Sequence, residues 1–250
     1  MSAPEALAIA AAGLAAGTIN TVVGAGSLIT FPTLLAFGYP AVLANVSNTV
    51  GLVPGSASAV VAYRTELSGQ SRRLAVLGIA SMIGAVAGGI LLLALPRHVF
   101  RDVVPALILL ATVLVAVQPA LARSLDARAR RSPHGGWWLY ASVLVTGVYG
   151  GYFGAAQGVV LLGLLGTFLT DHLQRLNAAK NVLALVANGV AALFFVSVTH
   201  VAWGAAGLVA VGAVVGGQIG GVVGRRLRPG ILRLVIIAVG LSAGVVLFVV

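Results

Sequence analysis

Residues 74–95 contain no charged side chain, and the stretch is one of ten apolar segments that together make up most of the chain. A helix needs about 20 predominantly apolar residues to cross a bilayer. Several of these segments reach that length, and this constrains the fold more than any motif does. With 60% apolar residues, 33 glycines and only 8% charged residues, the chain lies far from the balance of a soluble domain. Its mean hydropathy of +1.08 agrees. The sequence therefore reads as an all-α polytopic membrane protein, which excludes a soluble enzyme and a nucleic-acid binder. The net charge of +10 belongs to loops and segment ends, as expected of a protein oriented by its basic residues. The absence of cysteine removes disulfides, thiolate nucleophiles and cysteine metal sites.

The segments fall into two series. The first runs 6–23, 28–37, 41–63, 74–95 and 103–117, and the second 137–153, 158–170, 176–199, 201–223 and 231–250. Residues 28–37 and 158–170 are too short to span, and each follows a glycine-rich break. They read as half-helices that enter the membrane without crossing it. Irregular backbone at that depth persists only when buried in protein or lining a watery cavity. The expected organisation is a first membrane repeat (1–122), a cytoplasmic connector (123–136) and a second repeat (137–250), with roughly eight spans plus the half-helices. The N-terminal flank holds Glu5 and no basic residue, so segment 6–23 reads as part of the working protein and not as a signal peptide.

The two series superimpose. At an offset of 130, Gly17, Gly24 and Ala25 fall on Gly147, Gly154 and Ala155. At 133, Asn48 falls on Asn181, Gly84 on Gly217, Gly88 on Gly221 and Pro96 on Pro229. Duplicated halves with interrupted segments at matching positions point to a transporter's binding site. Charge then sets their orientation. Four crossings per half would leave seven arginines on each side, at odds with the positive-inside bias. If each opening pair enters and returns on one side, the second half inverts. Twelve arginines then gather on the cytoplasmic side, against Arg97 and Arg101 outside. The reading is two inverted repeats, each opening with a broken or re-entrant helix pair. A hairpin and two full crossings share the same parity, so both fit.

All five acids, Glu5, Glu66, Asp102, Asp126 and Asp171, lie at segment ends or in loops. The segments thus hold no carboxylate for a cation pathway or proton relay. His98, His134, His172 and His200 sit near segment ends, where an interfacial role fits better than catalysis. No enzyme activity, metal or cofactor is expected. Lys180 is the one basic residue set inside a polar cluster, with Asn177, Asn181 and Asn188 around it. It reads either as a lysine snorkelling to the nearby segment end or as the fixed counter-charge of an anion site. Asn20, Thr21, Ser27, Asn45, Ser47 and Asn48 occupy corresponding places in the first half. Amides and hydroxyls with one cation and no acid suit an anion. Half-helix N-termini add N–H groups and the positive dipole end, and glycine lets a ligand approach the backbone. The candidate binding residues are Asn20, Gly24, Gly26, Ser27, Asn45, Asn48, Gly154, Gln157, Lys180 and Asn181. Gly212, Gly216, Gly220 and Gly224, like Gly84 and Gly88, recur at the spacing that lets helices pack closely.

The run Gly17-Thr18-Ile19-Asn20-Thr21-Val22-Val23-Gly24-Ala25-Gly26-Ser27-Leu28-Ile29-Thr30-Phe31-Pro32 resembles the opening of the TauE/SafE sulfite exporter family. Ala44-Asn45-Val46-Ser47-Asn48-Thr49, Tyr63-Arg64-Thr65-Glu66-Leu67, Gly147-Val148-Tyr149-Gly150-Gly151-Tyr152-Phe153-Gly154-Ala155 and Asn177-Ala178-Ala179-Lys180-Asn181 resemble its later motifs. Members carry a fuller run of glycines where this chain has Ala25, Ser27, Ala155, Ala156 and Gln157. The resemblance implies a transporter in the prokaryotic plasma membrane. Its partners would be the lipid bilayer and a small anionic substrate, sulfite or an organosulfonate, and a homo-oligomer is possible. A channel-like anion pathway and a non-transporting scaffold subunit are the alternatives.

Overall fold

The computed structural model describes residues 1–126 and 136–223, together with 234, 237, 238 and 241. These form helices without a sheet: α1 (Ala3–Val22), α2 (Ser27–Ala36), α3 (Ala41–Ala62), α4 (Ser71–Ala94), α5 (Arg97–Asp126), α6 (Gly136–Tyr152), α7 (Gln157–Phe168), α8 (Leu173–Val198) and α9 (Trp203–Val223). A short 3₁₀ turn, Arg64–Leu67, links α3 to α4. Five helices, α1, α4, α5, α8 and α9, are long and apolar enough to cross a membrane. Among the described residues this falls short of the eight spans expected. The 22 residues of α3 include Asn45, Ser47, Asn48 and Thr49, which lower its hydropathy, and α6 has only 17 residues. Segment 231–250 lies outside the described residues apart from four positions. Helix α5 continues through Arg123 to Asp126, into the stretch read as the connector.

Local chemistry explains the interruptions. Helix α1 opens on a capping box, with Ser2 Oγ accepting from Glu5 N and Glu5 Oε2 accepting from Ser2 N at 3.1 Å. It ends where Gly24 turns to φ +88°, a conformation glycine adopts without steric cost. The 10-residue α2 and 12-residue α7 extend about 15 and 18 Å at 1.5 Å per residue, well short of a bilayer core. Helix α2 turns back along α1. The Tyr39 hydroxyl, beyond the end of α2, donates to Glu5 Oε1 at 3.5 Å, so the pair closes on the face where it began. The second pair is built the same way, with Leu139 of α6 and Leu169 beyond α7 in one buried cluster.

The mouths of the two hairpins lie at opposite ends of α4. Its first turn carries Arg73, which pairs with Asp171 between α7 and α8 at 2.6 Å. The chain beyond its far end places His98 and Arg101 beside Pro40 and Ala41. Helices are also exchanged between the two series. Helix α9 packs along α1, and α4 along α6. Glycine makes both contacts close: a Cβ added to Gly13 would lie 2.6 Å from Val209 O, and one on Gly147 would lie 2.6 Å from Ser81 O. The small-residue spacing in α4 and α9 thus serves backbone approach. Trp137, Trp138 and Trp203 stand exposed at helix starts, where interfacial tryptophans sit.

Candidate functional site

A helix broken inside a membrane leaves carbonyls at its C-terminal end without intrahelical partners, and such groups are costly in an apolar medium. At the end of α1 those carbonyls belong to Asn20 and Thr21. Lys180 Nζ donates to both, at 3.0 Å each. Asn177 Nδ2 donates to Thr21 O at 3.2 Å and Asn181 Nδ2 to the same oxygen at 3.5 Å. Three side chains of α8 thus cap the broken helix of the first series. The reciprocal contact exists at the other break, where Asn45 Nδ2 of α3 donates to Tyr152 O, the last residue of α6, at 3.0 Å.

Lys180 is fully buried. Helix α8 begins at Leu173, earlier than the sequence suggests, which sets Lys180 two turns inside the helix. Its ammonium reaches across to α1 and does not extend to the helix end. A cation beside helix C-terminal carbonyls also interacts favourably with the negative end of the dipole.

Around the first break, Asn48 Nδ2 donates to Ser27 Oγ at 3.1 Å, and the Thr30 hydroxyl donates to Asn48 Oδ1. Asn20 Nδ2 donates to Ser56 Oγ at 3.4 Å. Gln157, the first residue of α7, lies buried against Gly150. Among the described residues its Nε2 has no hydrogen-bond partner, and neither do Asn45 Oδ1 and Asn177 Oδ1. The two breaks touch, with Gly158 N donating to Gly24 O at 3.1 Å. Thus the candidate residues do converge, as a Ser27–Thr30–Asn48 group, a Lys180–Asn177–Asn181 group on the α1 carbonyls, and Asn45 with Gln157 beside the second break. Thr30 and Ser56 join the cluster although composition alone does not single them out. Thr30 stands three residues after Ser27 on α2, the spacing that shares one helical face.

The glycines at the breaks have a packing role. A Cβ at Gly26 would meet Ala16 O and Asn20 Cβ, one at Gly24 would meet Gly158, and one at Gly154 would lie 2.9 Å from Gly150 O. Protein atoms thus fill the side-chain direction at each, so these glycines serve close packing of the two breaks. The leading N–H groups of α7 are engaged as well: Gln157 N donates to Gly154 O, and Val159 N and Val160 N to Ala156 O. Ala156 itself takes φ +60°, a left-handed conformation that costs a non-glycine residue about 1–2 kcal/mol.

At the α4 end of the second hairpin, Asp171 accepts from Arg73 at 2.6 Å and from Arg175 Nε at 3.0 Å. Burial pushes its carboxyl up, but the two guanidinium hydrogen bonds outweigh that and hold it below the ordinary 3.8. Gln70 Nε2 donates to Arg175 O at 3.3 Å. This network ties the start of α4 to the α7–α8 loop.

The model of the sulfite exporter TauE/SafE family matches residues 9–247. The chain is 28% identical to the probable membrane transporter protein YfcA of Escherichia coli (strain K12), over 82% of this chain and 75% of that protein. It is 28% identical to the probable membrane transporter protein ORF9 of a Sinorhizobium species, over 82% of this chain and 77% of that one. A probable membrane transporter protein of Haemophilus influenzae is 25% identical over 83% of this chain and 80% of its own length. No solved structure matches the chain. With motifs, helical architecture and a match across nearly all of its length in agreement, this multi-pass membrane protein belongs to the TauE/SafE sulfite exporter family.

Proposed function

We propose that the chain is a secondary transporter that moves a small oxyanion, sulfite or an organosulfonate, by alternating access between two inverted halves. The hairpin mouths at opposite ends of α4 support the inversion, and the reciprocal capping of the two breaks supports a pseudo-two-fold axis between α3 and α8. One observation carries the anion reading. Lys180 is fully buried, and the described carboxylates Glu5, Glu66, Asp102, Asp126 and Asp171 all lie toward helix ends or in loops. Two carbonyl dipoles offset part of an ammonium's desolvation cost but cannot neutralise its charge. A bound oxyanion would complete the site, with the Gln157 amide and the Asn48 and Asn181 amides as further donors.

Lys180→Gln tests this, because glutamine keeps an N–H donor for the α1 carbonyls while deleting the charge. Anion-induced thermal stabilisation of the purified protein, with sulfite and methanesulfonate as probes, is the measurement. Loss of stabilisation in Lys180→Gln, partial recovery in Lys180→Arg and smaller losses in Asn48→Ala and Asn181→Ala are the expected outcomes. Arginine retains charge but replaces a compact ammonium with a planar fork. Lys180→Gln that responds to the anion like the parent refutes the counter-charge. A parent that responds to no anion favours a scaffold.

A further inference from the structure

At the end of the molecule where α3 begins and α8 ends lies a cavity of about 630 Å³, within the 300–1,000 Å³ typical of small-molecule sites. Its walls include Ala41, Val42 and Val46 of α3. His98 and Arg101 of α5 and His200 between α8 and α9 supply its nitrogen donors. All three are exposed. They come from two separate parts of the chain, so the fold itself assembles them. Arg101 stays charged at every accessible pH. Its neighbour Asp102 is 3.9 Å away, and both side chains are mostly exposed at 82% and 64%, a loose pair that leaves the guanidinium available. The other acid of this face, Glu5, is engaged by Ser2 N and the Tyr39 hydroxyl.

We propose that this cavity is a second, outer anion site, selective for an organic monoanion that carries a short apolar tail. The head group meets Arg101, His98 and His200, and the tail lies against Ala41, Val42 and Val46. A bare inorganic oxyanion leaves those apolar walls unused, and an organic cation meets Arg101 unfavourably. Val46 stands between Asn45 and Ser47 on α3, the helix that also carries part of the deeper cluster. Phe100, between the two α5 donors, is buried in edge contact with Phe153 at the second break, with ring centroids 6.1 Å apart. The site deepens the transport reading and rests on it for the anion's onward passage, but binding here does not require that passage to occur.

The test is calorimetric titration of the full chain in phosphatidylcholine nanodiscs with methanesulfonate, butanesulfonate and butylammonium. Affinity should rise roughly fourfold per added methylene, and butylammonium should not bind. The double variant Arg101→Gln/His200→Gln should bind butanesulfonate at least tenfold more weakly. Val42→Trp, which fills the cavity and leaves the charges in place, should erase the gain with chain length. Repeating the titration with phosphatidylglycerol in the disc identifies the source of the anion. Unchanged affinity assigns the site to soluble anions, and competition assigns it to a lipid head group. Equal affinity for the two sulfonates, or parental affinity in both variants, overturns the proposal. Sulfite flux into proteoliposomes separates the two readings: tail-dependent binding without flux sinks transport and leaves this site standing, whereas flux without tail-dependent binding does the reverse.

Discussion

Asn45 and Lys180 perform one task from opposite series, and they differ in charge. Each reaches from the polar face of a long helix to the carbonyl end of the other series' broken helix. A neutral amide suffices at Tyr152 O, so the ammonium at Asn20 O and Thr21 O brings a charge that capping alone does not require. Asn45→Leu removes the Tyr152 partner with little change in volume. An unsatisfied buried carbonyl costs about 1–3 kcal/mol, so the thermal midpoint without anion should fall, while anion-induced stabilisation should persist in proportion. A fall in the second quantity with no change in the first would show that Asn45 serves the ligand and not the fold. Residue types and spacing made this cluster legible in the sequence, down to Lys180, Asn48 and Asn181. The direction of the hydrogen bonds was not legible, because which carbonyls lack partners depends on where α1 stops, and that is set by contacts between residues far apart in the chain.

Helix breaks show how element-level constraints divide between backbone shape and crowding. Gly38 takes φ +83° with open space where a Cβ would go, Gly158 has ordinary helical backbone but lies against Gly24, and Gly24 combines φ +88° with that contact. Gly38→Ala should therefore cost about 1–2 kcal/mol of left-handed strain. Gly158→Ala should cost about 1–3 kcal/mol of overpacking, and Gly24→Ala more than either, as measured by thermal unfolding. Equal losses at Gly24 and Gly38 would mean that the breaks can move apart. The sequence marked Gly24 as special, but a glycine held for ligand approach and one held for helix contact look alike until the partner backbone is in place. The Asp171 network acts on the same scale, fastening the α7–α8 loop to the start of α4. Asp171→Asn should lower stability by about 1–3 kcal/mol, the worth of charge-assisted hydrogen bonds. Because the folded carboxyl titrates below its ordinary 3.8, its contribution is complete above that value and is lost as pH falls through the lowered one. The difference in midpoint between parent and Asp171→Asn should thus stay constant from pH 5 to 8 and shrink below pH 4. A difference that varies across pH 5 to 8 would assign the effect to another group.

At the scale of the whole molecule, two inverted halves would fix which residues share a face. Glu5 and Tyr39 touch, and the outer cavity places Ala41, Arg101 and His200 together, so all five belong to one side. Leu74, Leu139, Leu169 and Leu176 share a buried cluster at the other end, which puts Arg72 and Trp137 opposite. Arginine distribution assigns that second side to the cytoplasm, with Arg64, Arg72 and Arg175 there. Arg130 and Arg226, which belong to the same expectation, lie outside the described residues. The chain has no cysteine, so single thiols can be introduced without background. Glu5→Cys and His200→Cys should react with an impermeant maleimide added to intact cells, and Arg72→Cys and Trp137→Cys only after permeabilisation. Residues 5 and 200 labelling from one side exclude a single crossing by the opening pair of the first series, and the 10-residue α2 is too short to make a second full one. If α1 and α2 together crossed the membrane, α3 would begin on the opposite face, and Glu5 and Tyr39→Cys would label from different sides. External labelling of Trp137→Cys would place both hairpin mouths on one side, remove the inversion, and with it the alternating exposure of a central site.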